Sequence, residues 1–121
     1  MDPVNLQSTA TTPAITLTSE ELSITGRSIP LSEANFYDPF IEWAKEAKSS
    51  AFHVIIRLEY MNSSSSKKLL HLLKTMDHNK DMESLKVTWY YEDGDEELME
   101  HGLVFEKLLK KAEFRIVSYT D

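Results

Sequence analysis

The chain has 121 residues, 41% hydrophobic and 27% charged, which suits one globular domain around one core. Twenty acidic residues against thirteen basic ones leave a formal net charge of −7, with lysines scattered from Lys45 to Lys111. No concentrated basic face is therefore expected for nucleic acid or for an anionic membrane surface.

No apolar run approaches the ~20 residues of a membrane span. The opening MDPVNLQSTATTP lacks the basic and apolar regions of a signal peptide. The chain has no cysteine, which removes disulfides and thiolate metal sites and fits the cytoplasm. Residues 1–12 are rich in Ser, Thr, Asn and Asp and read as a flexible tail before a single domain over 13–121.

Ala14–Leu17 and Leu22–Thr25 are β-prone runs separated by TSEE, a hairpin pattern, with Gly26 ending the second strand. In SEANFYDPFIEWAKEAKSS, Phe36, Phe40, Trp43, Ala44 and Ala47 recur on one helical face. That helix starts near Asn35–Asp38, holds Pro39 in its first turn, and ends by Ser49-Ser50. AFHVIIRLEYM alternates, putting Phe52, Val54, Ile56, Leu58 and Tyr60 on one face and His53, Ile55, Arg57, Glu59 and Met61 on the other. From Ser63 the period becomes helical. Leu69, Leu72, Leu73 and Met76 form the stripe, Lys67, Lys68, His71 and Lys74 point outward, and DHNKDM closes the helix.

LKVTWYY is the next strand, with Leu85, Val87, Trp89 and Tyr91 on one face. EDGDEE forms a turn and an acidic start to a third helix, matched to the helix dipole, as are Lys107, Lys110 and Lys111 at its end. Leu98, Gly102, Phe105, Leu108 and Leu109 are its buried stripe, and FRIVSY is a final strand. The order ββαβαβα(β) predicts an α/β domain with a mixed sheet flanked by helices.

The stretch LEYMNSSSSKKLL places an asparagine and four serines where strand becomes helix. Asn and Ser are preferred N-caps, because a side-chain oxygen accepts the orphan N–H groups of the first turn. One or two would suffice, so a flexible loop, a nucleophile and a phosphate acceptor stay open beside plain capping. Ser64-x-x-Lys67 has the spacing of the nucleophile and lysine of penicillin-recognising enzymes, but their Ser-Asp-Asn and Lys-Thr-Gly elements are missing, as is any Gly-x-Ser-x-Gly elbow. A phosphoserine at the helix start would keep the fold, since negative charge is favoured there, and would change a surface seen by a partner.

Five segments in order resemble the SiaC-type bacterial regulatory phosphoproteins. They are TPAITL (12–17), GRSIP (26–30), FYDPFIEW (36–43), the LEYMNSSSSKKLL junction and VTWYYEDGDEELMEHG (87–102). The resemblance implies a fold similar to the STAS domain of anti-sigma-factor antagonists. It also implies a non-enzymatic partner-switch protein without a cofactor. A cognate Ser/Thr kinase phosphorylates the residue after the Asn, a PP2C-type phosphatase reverses this, and the unmodified form binds a downstream regulator, in some members a diguanylate cyclase. Carried over, Ser63 is the acceptor, with Asn62 beside it. The family usually has Thr at that place, which makes Ser64 the competing acceptor. A second departure is Pro30-Leu31-Ser32, where the family often has Pro-Glu-Asn.

Asn62, Ser65, Ser66 and Lys67 surround the acceptor as candidate partner contacts. Arg27 is a further candidate, and Tyr37 with Phe36 is expected to frame a docking groove. The histidines His53, His71, His78 and His101 lack metal-ligand spacing. The acidic run Asp93, Asp95, Glu96, Glu97 and Glu100 lacks the pattern of a calcium loop and reads as a solvated helix start. A structural adaptor with the serines as a cap only, and a small metal-dependent enzyme, are the alternative functions.

Overall fold

A computed structural model describes residues 3–29 and 35–120. The Pro30-Leu31-Ser32 departure and the opening of the first helical pattern at Ser32–Ala34 lie outside the described residues. The strands are β1 (Val4–Leu6), β2 (Ala14–Leu17), β3 (Glu21–Ser28), β4 (Ala51–Met61), β5 (Ser84–Glu92) and β6 (Glu113–Tyr119). The helices are α1 (Asp38–Glu46), α2 (Ser63–His78) and α3 (Glu96–Leu108). The six strands form one sheet in sequence order, antiparallel from β1 to β3 and parallel from β3 to β6.

Because each β-α-β crossover steps the same way along the sheet, the right-handed rule puts all three helices on one face. Burial agrees. The row Ile15, Ile24, Ile56 and Trp89 is fully enclosed, while Thr25, Arg57 and Arg115 on the opposite face are exposed. On that open face His53 Nε2 lies 2.8 Å from Thr88 Oγ1, and the Arg57 guanidinium sits 4.0 Å above the Tyr119 ring.

The expected hairpin is present, and Thr18 closes its turn by accepting from the Glu20 and Glu21 N–H groups. Five details differ from the sequence-based expectations. Val4–Leu6, inside the expected tail, is a strand that pairs with β2, and Thr12 is buried through bonds to Thr9. A three-residue strand carries too short a pattern to read, since only its partner defines it. β3 does not stop at Gly26 but runs to Ser28 through a bulge. Gly26 has φ of +119°, a conformation open to glycine, and it pairs with Leu58 while Arg27 pairs with Tyr60, leaving Glu59 as the extra residue.

That bulge reverses the alternation of β4. Tyr60 turns out to solvent and Met61 turns in, opposite to the predicted faces. Leu108, assigned to the buried stripe of the third helix, is also exposed at 42%. α1 is shorter than its sequence pattern, ending at Glu46 with Ala47 already extended, and its Pro lies in the first turn as expected. Among the described residues, no helix is long and apolar enough to cross a membrane.

Candidate functional site at the start of the second helix

β4 ends at Met61 and α2 begins at Ser63, so Asn62 is the residue between them. Its backbone is extended, and its side-chain Oδ1 accepts from the Ser65 N–H at 2.9 Å. Asparagine therefore performs the cap, and its own N–H donates to the Ser28 carbonyl at 3.1 Å.

The four serines have different fates. Ser65 is 1% exposed, and its Oγ accepts from the buried Ser28 hydroxyl at 2.8 Å. Ser28 Oγ lies 2.6 Å from Tyr37 Oη, and with Ser28 donating to Ser65 the phenol is the donor of that bond. A buried chain of hydroxyls thus runs from the start of α1, through the end of β3, to the first turn of α2. Ser66 is half-buried, whereas Ser63 and Ser64 are exposed.

Burial corrects two of the candidate contacts. Tyr37 and Ser65 have essentially no surface to offer a partner, because both are occupied in pinning the helix start. Ser66 and Lys67 do line a surface cleft of about 320 Å³ with Ser63, Tyr60, Glu97 and His101. Arg27 is exposed and lies in register with Tyr60. The acidic run is a helix start: Asp95 Oδ1 accepts from the Leu98 N–H at 3.1 Å. A surface hollow of about 720 Å³ is at the opposite end of the sheet beside Ser19, Lys48 and Ser84. Among the described residues, no group of His, Asp or Glu is arranged to hold a metal ion.

Sequence reasoning missed Ser28 and the hydroxyl chain. The residues are 9 and 37 positions apart, and no periodicity connects them. It also missed Asp77 and Asn79, whose side chains tie α2 to the α3–β6 loop and to the end of α1.

Burial pushes the Tyr37 phenol up to about 12. The folded state holds this proton more tightly than the unfolded chain, whose phenol keeps its ordinary value near 10. Its contribution is complete below pH ~10 and disappears as pH rises through about 12. Tyr37→Phe should thus remove a loss of about 2–3 kcal/mol over that window. Urea titrations at pH 9 to 12 check this, with the variant showing a shallower alkaline decline than the parent.

In this small mixed α/β domain the start of the second helix is pinned by buried hydroxyls, and the exposed Ser63 lines a charged cleft beside it. Residues 6–119 match the family model described as SiaC family regulatory phosphoprotein. The chain belongs to the SiaC family.

The fold is similar to apo-SiaC from Pseudomonas aeruginosa, with a TM-score of 0.82 at 22% identity over 97% of this chain and 99% of that one. It is also similar to a chain in the structure of the diguanylate cyclase SiaD in complex with its activator SiaC from the same organism. There the TM-score is 0.80 at 22% identity, over 96% and 99% of the two chains. At that identity the likeness establishes the fold. A comparison with curated protein sequences finds no match.

Proposed function

We propose that this chain is a non-enzymatic partner-switch protein controlled by reversible phosphorylation of Ser63. The observation that carries the reading is the division of labour in the serine run, within a chain of a phosphoprotein family. Asn62 makes the cap and Ser65 is enclosed, while Ser63 stays exposed at the first helical position and lines the cleft. A cognate Ser/Thr kinase transfers the γ-phosphoryl group of ATP to Ser63 Oγ, releasing ADP and the hydroxyl proton. A PP2C-type phosphatase returns the hydroxyl by hydrolysis. The unmodified form binds a downstream regulator in the cytoplasm, and a diguanylate cyclase is the expected class, as SiaD is for SiaC.

The phosphate adds about −1.5 to −2 charges. At a helix start this charge is compatible with the fold. In a packed interface it is not, because desolvation and repulsion oppose docking. Phosphopeptide mass spectrometry of the protein from its own host should localise phosphate to Ser63. Phosphate on Ser64 would move the acceptor by one residue. Its absence across Ser63–Ser66, together with no transfer from a co-encoded kinase, would leave an adaptor. Ser63→Asp should weaken the regulator's binding about tenfold, measured by isothermal titration, with Ser63→Ala binding like the parent.

A further inference from the structure

The sheet face that the helices leave open is an ordered grid. At the start of the parallel strands, Glu21, His53, Lys86 and Glu113 stand side by side on β3 to β6. Ser23, Ile55, Thr88 and Arg115 form the next row, and Thr25, Arg57, Tyr90 and Val117 the one after it. Arg27, Glu59, Glu92 and Tyr119 close the far end.

The centre of this face is uncharged and half-buried, at Ile55, Thr88, Tyr90 and Val117, and both ends are charged. The chain's arginines, Arg27, Arg57 and Arg115, all lie on it. An apolar and aromatic centre within a charged rim, with tyrosine and arginine concentrated there, is the anatomy of a protein interface.

The charges are also self-complementary. Glu21 begins β3 and Arg27 lies near its end, while Lys86 lies near the start of β5 and Glu92 ends it. On β4, His53 and Glu59 hold the matching places. Each pair is centred on one residue of the row Ile24, Ile56 and Trp89, whose members are in register. A two-fold axis along that row lays a second copy face to face, with each strand antiparallel to its own counterpart. Glu21 then meets the partner's Arg27, Lys86 meets the partner's Glu92 and His53 meets the partner's Glu59, each contact occurring twice. No like charges on β3 to β6 are brought opposite one another. A nucleic acid would instead meet Glu21, Glu59, Glu92 and Glu113 together with the arginines, which opposes it.

We propose that this chain forms a two-fold dimer through the open face of its sheet. The six strands span about 24 Å, and seven residues along a strand span about 23 Å. Two such faces cover roughly 1,100 Å², above the ~1,000 Å² that a specific interface needs. Packed sheets cross at about 30°, which displaces the strand ends by roughly 5 Å, a distance that Lys, Arg and Glu side chains span. Arg57, beside the centre, keeps its guanidinium 4.0 Å above the Tyr119 ring and faces the partner's Ile55, a planar cation on an apolar side chain. Both helix layers stay outward, so the dimer does not depend on which serine is the phosphate acceptor.

Sedimentation velocity of the full chain from about 1 to 500 μM should show a monomer–dimer equilibrium with a Kd of roughly 1–100 μM. Lys86→Glu sets acidic ends against each other and Glu92→Lys sets basic ends against each other. Each alone should weaken the dimer about tenfold or more. Lys86→Glu with Glu92→Lys in one chain restores opposite signs and should return the Kd to within about threefold of the parent. Both positions are exposed, and the Lys86–Glu113 pair that the first variant removes is an exposed contact at 4.0 Å, so the circular dichroism spectrum should not change.

On dilution, amide shifts in ¹⁵N spectra should cluster on Ile55, Thr88, Tyr90 and Val117. A chain still monomeric at about 500 μM would overturn the dimer, even if its open face took up another protein or an oligonucleotide. A dimer indifferent to both single variants, or a double variant weaker than either, would overturn the two-fold pairing. Dilution shifts confined to the helices would overturn the choice of face.

Discussion

Asp77→Ala is expected to destabilise the fold by about 3–5 kcal/mol. The Asp77 carboxylate is buried at the end of α2 and accepts three backbone N–H bonds from the loop that feeds β6. Lys110 donates to Oδ2 at 2.8 Å, and Lys111 and Ala112 donate to Oδ1 at 2.9 and 2.8 Å. Bonds to a charged acceptor are each worth about 1.5–3 kcal/mol, and donors left unsatisfied cost more than the bonds contributed. The sum is discounted because Lys110 and Lys111 are exposed residues whose N–H groups can reach water.

Asp77→Asn should cost less, about 1–3 kcal/mol. Its amide oxygen still serves two donors, but its NH₂ group meets a third N–H. Chemical denaturation gives the order Ala, then Asn, then parent. Hydrogen exchange of the Ala112 amide identifies the loop as the place where protection is lost. Equal losses for Ala and Asn would mean that the carboxylate acts as a spacer and not as an acceptor.

Gly102→Ala is expected to cost about 2–3 kcal/mol, although alanine ordinarily favours a helix interior by about 1 kcal/mol over glycine. A Cβ at Gly102 would stand 2.7 Å from Trp89 Cδ1 and 2.9 Å from Nε1. The indole cannot step aside. It is fully buried, ring-packed against Phe105 at 5.2 Å and Phe114 at 6.3 Å, and its Nε1 donates to the Leu98 carbonyl at 2.9 Å. α3 would have to lift from the sheet. The measurement is thermal unfolding with the near-ultraviolet signal of Trp89, which should broaden or shift before helix content falls. A stability gain would show that α3 moves freely over β5.

Much of this molecule is legible in its local chemistry. The apolar stripes of α2 and the alternation of β4 from Phe52 to Leu58 are properties of neighbouring residues, so they survive into the fold. Asn62 before a helical pattern is a cap by its own side-chain length, and it caps. The family resemblance rests on the same local segments, and residues 6–119 match that family.

What needed the tertiary structure depends on distant partners. Val4–Leu6 is a strand only because β2 offers it an edge. The Glu59 bulge exists only opposite Gly26 and Arg27, yet it decides that Met61 faces the core and Tyr60 the cleft. Four adjacent serines are chemically equal in sequence. Ser65 becomes an enclosed anchor because Ser28 and Tyr37 meet it, and Ser63 keeps its hydroxyl at the surface. Leu108 is exposed although Leu109 beside it is buried, because Leu109 and not Leu108 continues the line of Leu98, Gly102 and Phe105 onto the sheet. Periodicity reports which side of an element is apolar, whereas only the packing of elements reports how far that side is covered.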